Sequence, residues 1–303
     1  MKRRKLGTSD LFVSEIGLGC MSLGTNFLKA QAVVEAALEE GINYFDTADL
    51  YDFGENEKIV GQALKNVREQ VIIATKAGNR WTDTKDKWTW DPSKAYIKEA
   101  VKQSLKRLDT DYIDLYQLHG GTIEDNIDET IEAFEELKDE GYIKYYGISS
   151  IRPNVIREYA QKSNIVSVMM QYSILDRRPE EIALPLLHDQ NISVVTRGTV
   201  AKGMLSDRML EKAASKGYLD YSYDELEVVL PLLKEKVAST RSLAEAAVQY
   251  NLANPAVASI VAGASTPEQI KENARSANSS SLSVEEINLI KSITKANKYE
   301  QHR

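Results

Sequence analysis

The chain has 303 residues, 43% apolar and 27% charged, which suits one α/β barrel or two smaller globular domains. A net charge of −7 argues against a nucleic-acid footprint, and no run approaches the roughly 18 apolar residues of a membrane span. Cys20 is the only cysteine and there are three histidines (His119, His188, His302), so an internal disulfide is excluded and a metal site is not expected. A reducing cytoplasm fits this cysteine usage. The basic start MKRRKLGTSD has no apolar stretch behind it and does not read as a secretory signal.

In chain order, residues 2–14 hold the turn candidate Gly7-Thr8-Ser9-Asp10 between two short β-like runs. This predicts a hairpin covering one end of the fold. Residues 16–20 form the first core strand. A helix over 27–40 then turns Val33, Val34, Ala37 and Leu38 inward and stops at Gly41. Residues 42–45, short and apolar, read as a buried parallel strand ending on Asp46. Tyr51 follows in a loop, ahead of a helix from about Asn56 to Leu64.

Further strands are predicted at 71–76, 112–119, 143–149, 165–173, 192–198 and 257–263. Helices are predicted at 92–108, 127–140, 153–161, 179–190 and 267–277. A long connection with Tyr218, Tyr221 and Tyr223 leads into helical material through Ala253. A polar turn near residue 280 precedes a terminal helix. Eight strand–helix units predict a (β/α)8 TIM barrel, taken as one domain over 1–303.

In such a barrel the strand ends share one face. That places Asp46, Lys76 and His119, at the ends of three successive strands, together with Tyr51. Taken alone, Asp46 is ordinary turn chemistry and Tyr51 a half-exposed loop residue. A lysine closing the run VIIAT changes this, because a buried ammonium needs a partner, and Asp46 is its natural one. The tryptophans Trp81, Trp88 and Trp90 either line an apolar pocket at this face or pack a long surface loop.

With these residues in place the sequence resembles the aldo-keto reductase family. The matching pieces are IGLGCMSLG, INYFDTADLYDFGENEKIVGQAL, VIIATK, DYIDLYQLH, YYGISS, MMQYSILDR and VAGASTPEQIKEN, in family order along nearly the whole chain. The family's glycine pattern is broken at Phe53, with Gly54 next. The resemblance implies reduction of a small aldehyde or ketone by NADPH, with NADH also possible. It also implies a catalytic tetrad of Asp46, Tyr51, Lys76 and His119. Tyr51 would protonate the carbonyl oxygen. The Lys76 ammonium would stabilise the phenolate, and Asp46 would hold Lys76 charged. His119 would hydrogen-bond the same oxygen. No metal is implied.

For the cofactor, the resemblance points to Gly19, Cys20 and Met21 after the first strand, to Asp46, and to Ser149, Ser150 and Gln171. Ser150 stands where the family has Asn. Arg197, followed by Gly198, Thr199, Val200 and Lys202, takes the place of an aromatic residue that stacks on the nicotinamide, and a guanidinium can do the same. Gly263 and Ser265 fall by the 2′-phosphate, and Gln269 and Asn273 by the adenine. Two other readings stand beside the reductase. One is a nicotinamide-binding redox sensor or regulatory subunit with little turnover, and the other an aldolase-type enzyme using Lys76 as a Schiff base.

Overall fold

A computed structural model describes residues 1–82, 84–213, 215–238 and 241–303. It opens with the antiparallel hairpin β1 (Arg3–Lys5) and β2 (Phe12–Ser14), followed by β3 (Ile16–Gly19), α1 (Phe27–Glu39), β4 (Tyr44–Asp46), α2 (Glu55–Leu64) and β5 (Ile72–Ala77). A small hairpin, β6 (Asn79–Trp81) and β7 (Trp88–Trp90), precedes α3 (Lys94–Leu108). Next come β8 (Ile113–Leu118), α4 (Ile127–Asp139), β9 (Ile143–Ser149), α5 (Pro153–Lys162), β10 (Ser167–Gln171), α6 (Ala183–Asp189) and β11 (Ser193–Arg197). The chain ends with α7 (Tyr223–Val237), α8 (Leu243–Leu252), β12 (Val257–Gly263), α9 (Pro267–Asn278) and α10 (Val284–Ile293).

The strands β3, β4, β5, β8, β9, β10, β11 and β12 pair in that order, and β12 closes the barrel on β3. This is the expected (β/α)8 barrel. Short β-rich strands with both faces buried fit it, since every helix lies outside and every strand interior must be filled by side chains. Tyr44, Ala74, Leu115, Met169 and Val195 fill the interior, while the larger apolar cluster lies between strands and helices. The opening hairpin plugs the amino-terminal end of the barrel with Leu6, Leu11 and Val13, as the sequence led us to expect. Its turn needs Gly7, whose φ is 56° and where a Cβ would fall 2.2 Å from the Val166 carbonyl oxygen.

Two local expectations shift. Residues 179–190 are not one helix but a 3₁₀ turn (Arg178–Glu180) and a separate α6, broken at Ile182. Pro185 tolerates this because it sits in the first turn of α6, where its missing N–H is not needed. The tryptophan-bearing stretch is not a plain loop, since Trp81 pairs with Trp88 across the β6–β7 hairpin.

Candidate active site

All the strand-end residues singled out above lie at the carboxyl-terminal end of the barrel, opposite the hairpin plug. Asp46 is the last residue of β4 and Lys76 the next-to-last of β5. Lys76 Nζ donates to Asp46 Oδ1 at 2.6 Å and to the Thr47 carbonyl at 2.7 Å. Gln117 on β8 donates more weakly to Asp46 Oδ2, at 3.4 Å. The side chains of Lys76 and Asp46 are 0% and 3% exposed, so this is a fully buried ion pair. Burial works against the ammonium, but the Asp46 carboxylate and Tyr51 outweigh it and hold Lys76 above its ordinary range.

Tyr51 opens a 3₁₀ turn, and its ring centroid lies 5.2 Å from Lys76 Nζ. It meets the His119 ring edge-on, with centroids 5.9 Å apart at 86°. Asp52 and Phe53 both take left-handed φ values, 48° and 53°, so the departure from the family's glycine pattern carries backbone strain right after Tyr51. His119 follows β8. Its main-chain N–H donates to the Ala77 carbonyl, its own carbonyl accepts from Asn79, and its Nδ1 is buried with no partner among the described residues. Burial first, then the Lys76 and Arg197 cations, push its imidazole down to about 3. His119 is therefore neutral at ordinary pH and able to donate one hydrogen bond without carrying charge.

Tyr51 and His119 open onto a cleft of ≈ 700 Å³, walled by Trp88, Trp90, Met21, Ser149, Ser150 and Arg197 among others. Of the expected cofactor residues, Gly19 and Asp46 are paired in register on β3 and β4. Cys20 is buried beneath, its carbonyl accepting from Asn56. Met21 stands 63% exposed at the cleft. Gln171 Oε1 accepts from Arg197 Nη1 at 3.2 Å, and its amide nitrogen donates to Asp176 and Tyr218, so the guanidinium has a fixed neighbour.

Beyond Arg197, Gly198 turns the chain with φ 71°, and Val200 packs on the core. Thr199 spends its hydroxyl on Asn251 of α8, and Lys202 is exposed away from the residues lining the cleft. Gly263, Ser265, Gln269 and Asn273 form a separate group at the start of α9. Ser265 donates from both N and Oγ to Gln269 Oε1, and Asn273 reaches back to the Gly263 carbonyl at 3.4 Å. The pairing of Gly263 with Gly19 ties that group to β3, the neighbour of the strand that carries Asp46.

The sequence reading missed Gln117 and Asn79, which brace Asp46 and His119. Both sit one or two residues from a residue that was picked out, and neither carries a spacing signal of its own. Of the tryptophans, Trp88 and Trp90 line the cleft. Trp81 instead packs edge-on against Phe53 at 6.4 Å and under the Arg107 guanidinium at 5.3 Å.

These features fit a nicotinamide dinucleotide. The cleft is open at the strand ends, and Arg197 and the two serines form one wall. The family model described as "Aldo/keto reductase family" matches residues 15–295. The chain belongs to that family. It is an oxidoreductase that uses a nicotinamide cofactor.

A Bacillus subtilis (strain 168) protein described as "Uncharacterized oxidoreductase YqkF" is 62% identical, covering 100% of each chain. The holo form of aldo-keto reductase AKR11C1 from Bacillus halodurans superposes with a TM-score of 0.95 at 60% identity, over 100% of this chain and 99% of that one. An Escherichia coli (strain K12) relative described as "NADH-specific methylglyoxal reductase" is 34% identical over 92% of this chain and 94% of its own.

Proposed function

We propose that the chain moves a hydride from NADPH to the carbonyl carbon of a small aldehyde or ketone, with Tyr51 as the proton donor. The observation that carries this reading is the buried Asp46–Lys76 pair set under the Tyr51 ring, with the His119 ring edge-on beside it. The cofactor supplies the hydride when bound; the rest is work for the protein's own groups. Negative charge develops on the substrate oxygen as the carbonyl is reduced. The Tyr51 hydroxyl gives it a proton, and the Lys76 ammonium offsets the charge left on the phenolate. Asp46 keeps Lys76 charged and aimed. His119, uncharged, donates a hydrogen bond to the same oxygen without competing as an acid. Gln117 and the Thr47 carbonyl hold the pair in place.

The Schiff-base alternative needs a neutral amine at Lys76, and both the 2.6 Å contact to Asp46 and the upward shift of Lys76 weigh against it. Arg197, steadied by Gln171, would lay its guanidinium face on the nicotinamide. Ser149 and Ser150 would hold the carboxamide. Met21 would border the ribose, with the buried Gly19 and Cys20 supporting it from beneath. The α9 group of Gly263, Ser265, Gln269 and Asn273, with Lys271 nearby, would take the adenosine end. Lys271 is engaged at 3.4 Å by Glu39, so its pull on a 2′-phosphate is shared, and NADH remains usable.

We take residues 1–303 as one domain acting in the cytoplasm, which the single buried, unpaired Cys20 suits. The test is oxidation of NADPH and of NADH over a panel of aldehydes and ketones. Turnover with NADPH supports the proposal. Tight NADPH binding with no oxidation across the panel would favour the sensor instead.

A further inference from the structure

A second buried carboxyl lies in the loop between Asp46 and Tyr51, and the proposed chemistry does not use it. Asp49 is 1% exposed. It does not line the substrate cleft but borders a separate cavity of ≈ 260 Å³, with Arg80, Trp81, Tyr96 and Arg107 around it. Its main-chain N–H donates to the Lys76 carbonyl at 3.1 Å. Its Oδ2 accepts from the Tyr96 hydroxyl on α3 at 3.2 Å, while Oδ1 is buried without a partner among the described residues. One short residue thus ties three things together: the strand carrying Lys76, the helix α3, and the loop that delivers Tyr51.

The charged groups around Asp49 do not neutralise it. Arg107 is the nearest cation of consequence, but its Nε is bonded at 2.6 Å to Glu57, itself fully buried and also accepting from Thr75. Arg80 lies over the Tyr96 ring at 5.3 Å and pairs at 3.4 Å with Asp91. Glu99 on α3 borders the cavity, and Tyr116 on β8 has a buried hydroxyl with no partner among the described residues. An ionised Asp49 would be a buried charge facing Glu57 with one weak donor, which is costly. Burial first, then Glu57, push its carboxyl up to about 8, against the pull of Arg107 and Tyr96.

We propose that Asp49 is a positioning residue: its uncharged carboxyl, joined to Tyr96 and, through the main chain, to Lys76, fixes the loop that sets Tyr51 over Lys76, and loss of its proton to solvent loosens that loop. This inference rests on the reading of Tyr51 as proton donor. With a midpoint at about 8, the uncharged fraction falls from about nine-tenths at pH 7 to about one-tenth at pH 9, and kcat falls with it through Asp49.

The test compares kcat from pH 6 to 9.5 in the intact protein, in Asp49→Asn and in Tyr96→Phe, and thermal midpoints of all three over the same range. Because the folded state holds the Asp49 proton more tightly than the unfolded chain, the native protein loses stability relative to Asp49→Asn as pH rises from about 4 to 8, and the difference levels off above. We expect the ratio of kcat at pH 9 to that at pH 7 to be at least threefold higher in Asp49→Asn than in the native protein. The gap in melting midpoints between the two should widen from pH 6 to 8.

For Tyr96→Phe we expect a lower kcat with the cofactor KM within twofold. Parallel kcat profiles for the native protein and Asp49→Asn, or a melting gap that stays constant with pH, would overturn the proposal. Tyr51→Phe separates this from the catalytic reading. Retained turnover there would refute Tyr51 as acid, while the melting comparison would still judge Asp49 on its own.

Discussion

Replacing Lys76 with methionine removes a buried charge while keeping a chain of similar length, and its consequences can be worked through. The substitution abolishes the 2.6 Å and 2.7 Å bonds to Asp46 and Thr47 and leaves Asp46, 3% exposed, with only the 3.4 Å contact to Gln117. Removing one partner of a buried pair costs about 3–5 kcal/mol. With about 2.1 cal/mol/K of unfolding entropy per residue, a chain of 303 residues loses about 5–8 °C in melting midpoint at pH 8. The sign of the pH dependence follows from Asp46. Stranded without Lys76, its folded pKa rises beyond the upward shift that burial already gives it in the native pair, so the penalty is smallest in acid and grows with pH by at most about 1.4 kcal/mol per unit. At pH 5 the deficit should be clearly smaller than at pH 8. The native protein shows no such dependence from Lys76, whose raised pKa gives a contribution fully present below the ordinary lysine range. Urea unfolding followed by tryptophan fluorescence at pH 5 and pH 8 reads both values. An equal deficit at the two pH values, or none, would refute the idea that Asp46 and Lys76 depend on each other's charge.

Two further outcomes follow from the same geometry. Because His119 is held near 3, kcat/KM should show no limb with a midpoint around 6.5; finding one that disappears in His119→Asn would mean that His119 carries a proton in the working enzyme. Arg197→Ala should raise the cofactor KM by about tenfold, about 1.4 kcal/mol of lost contact, while Arg197→Tyr should restore most of it; unchanged cofactor KM and turnover in both would remove the stacking role.

Much of this site could be read in the sequence because barrel chemistry concentrates at strand ends. Asp46, Lys76 and His119 each close an apolar run, and apolar runs mark buried strands. A polar residue there demands a reason, and the barrel supplies one by bringing three ends together. The (β/α)8 order was legible for the same reason, since strands buried on both faces differ plainly from helices with one apolar stripe. Apart from Gln117 on β8, what the runs could not convey lies off the barrel strands. Asn79 and the tryptophan hairpin depend on cross-strand pairing within a polar stretch, where Trp81 faces Phe53 and Arg107 rather than the cleft. The break in the 179–190 helix turns on the backbone at Ile182, which no apolar period reports. In DTADLY nothing about Asp49 sets it apart from an ordinary loop carboxylate. Its burial becomes visible only once Tyr96 and Glu57, from α3 and α2, pack around it.

The central claim is that Tyr51, poised over the Asp46–Lys76 pair, supplies the proton in carbonyl reduction. Turnover of Tyr51→Phe with NADPH and an aldehyde that the native protein reduces, measured together with NADPH binding by fluorescence titration, addresses it directly. Deleting one hydroxyl should lower kcat by at least about 10²-fold, the low end for a general acid, with the NADPH Kd unchanged within about twofold. A variant that binds NADPH equally well and still turns over within tenfold of the native rate would contradict it.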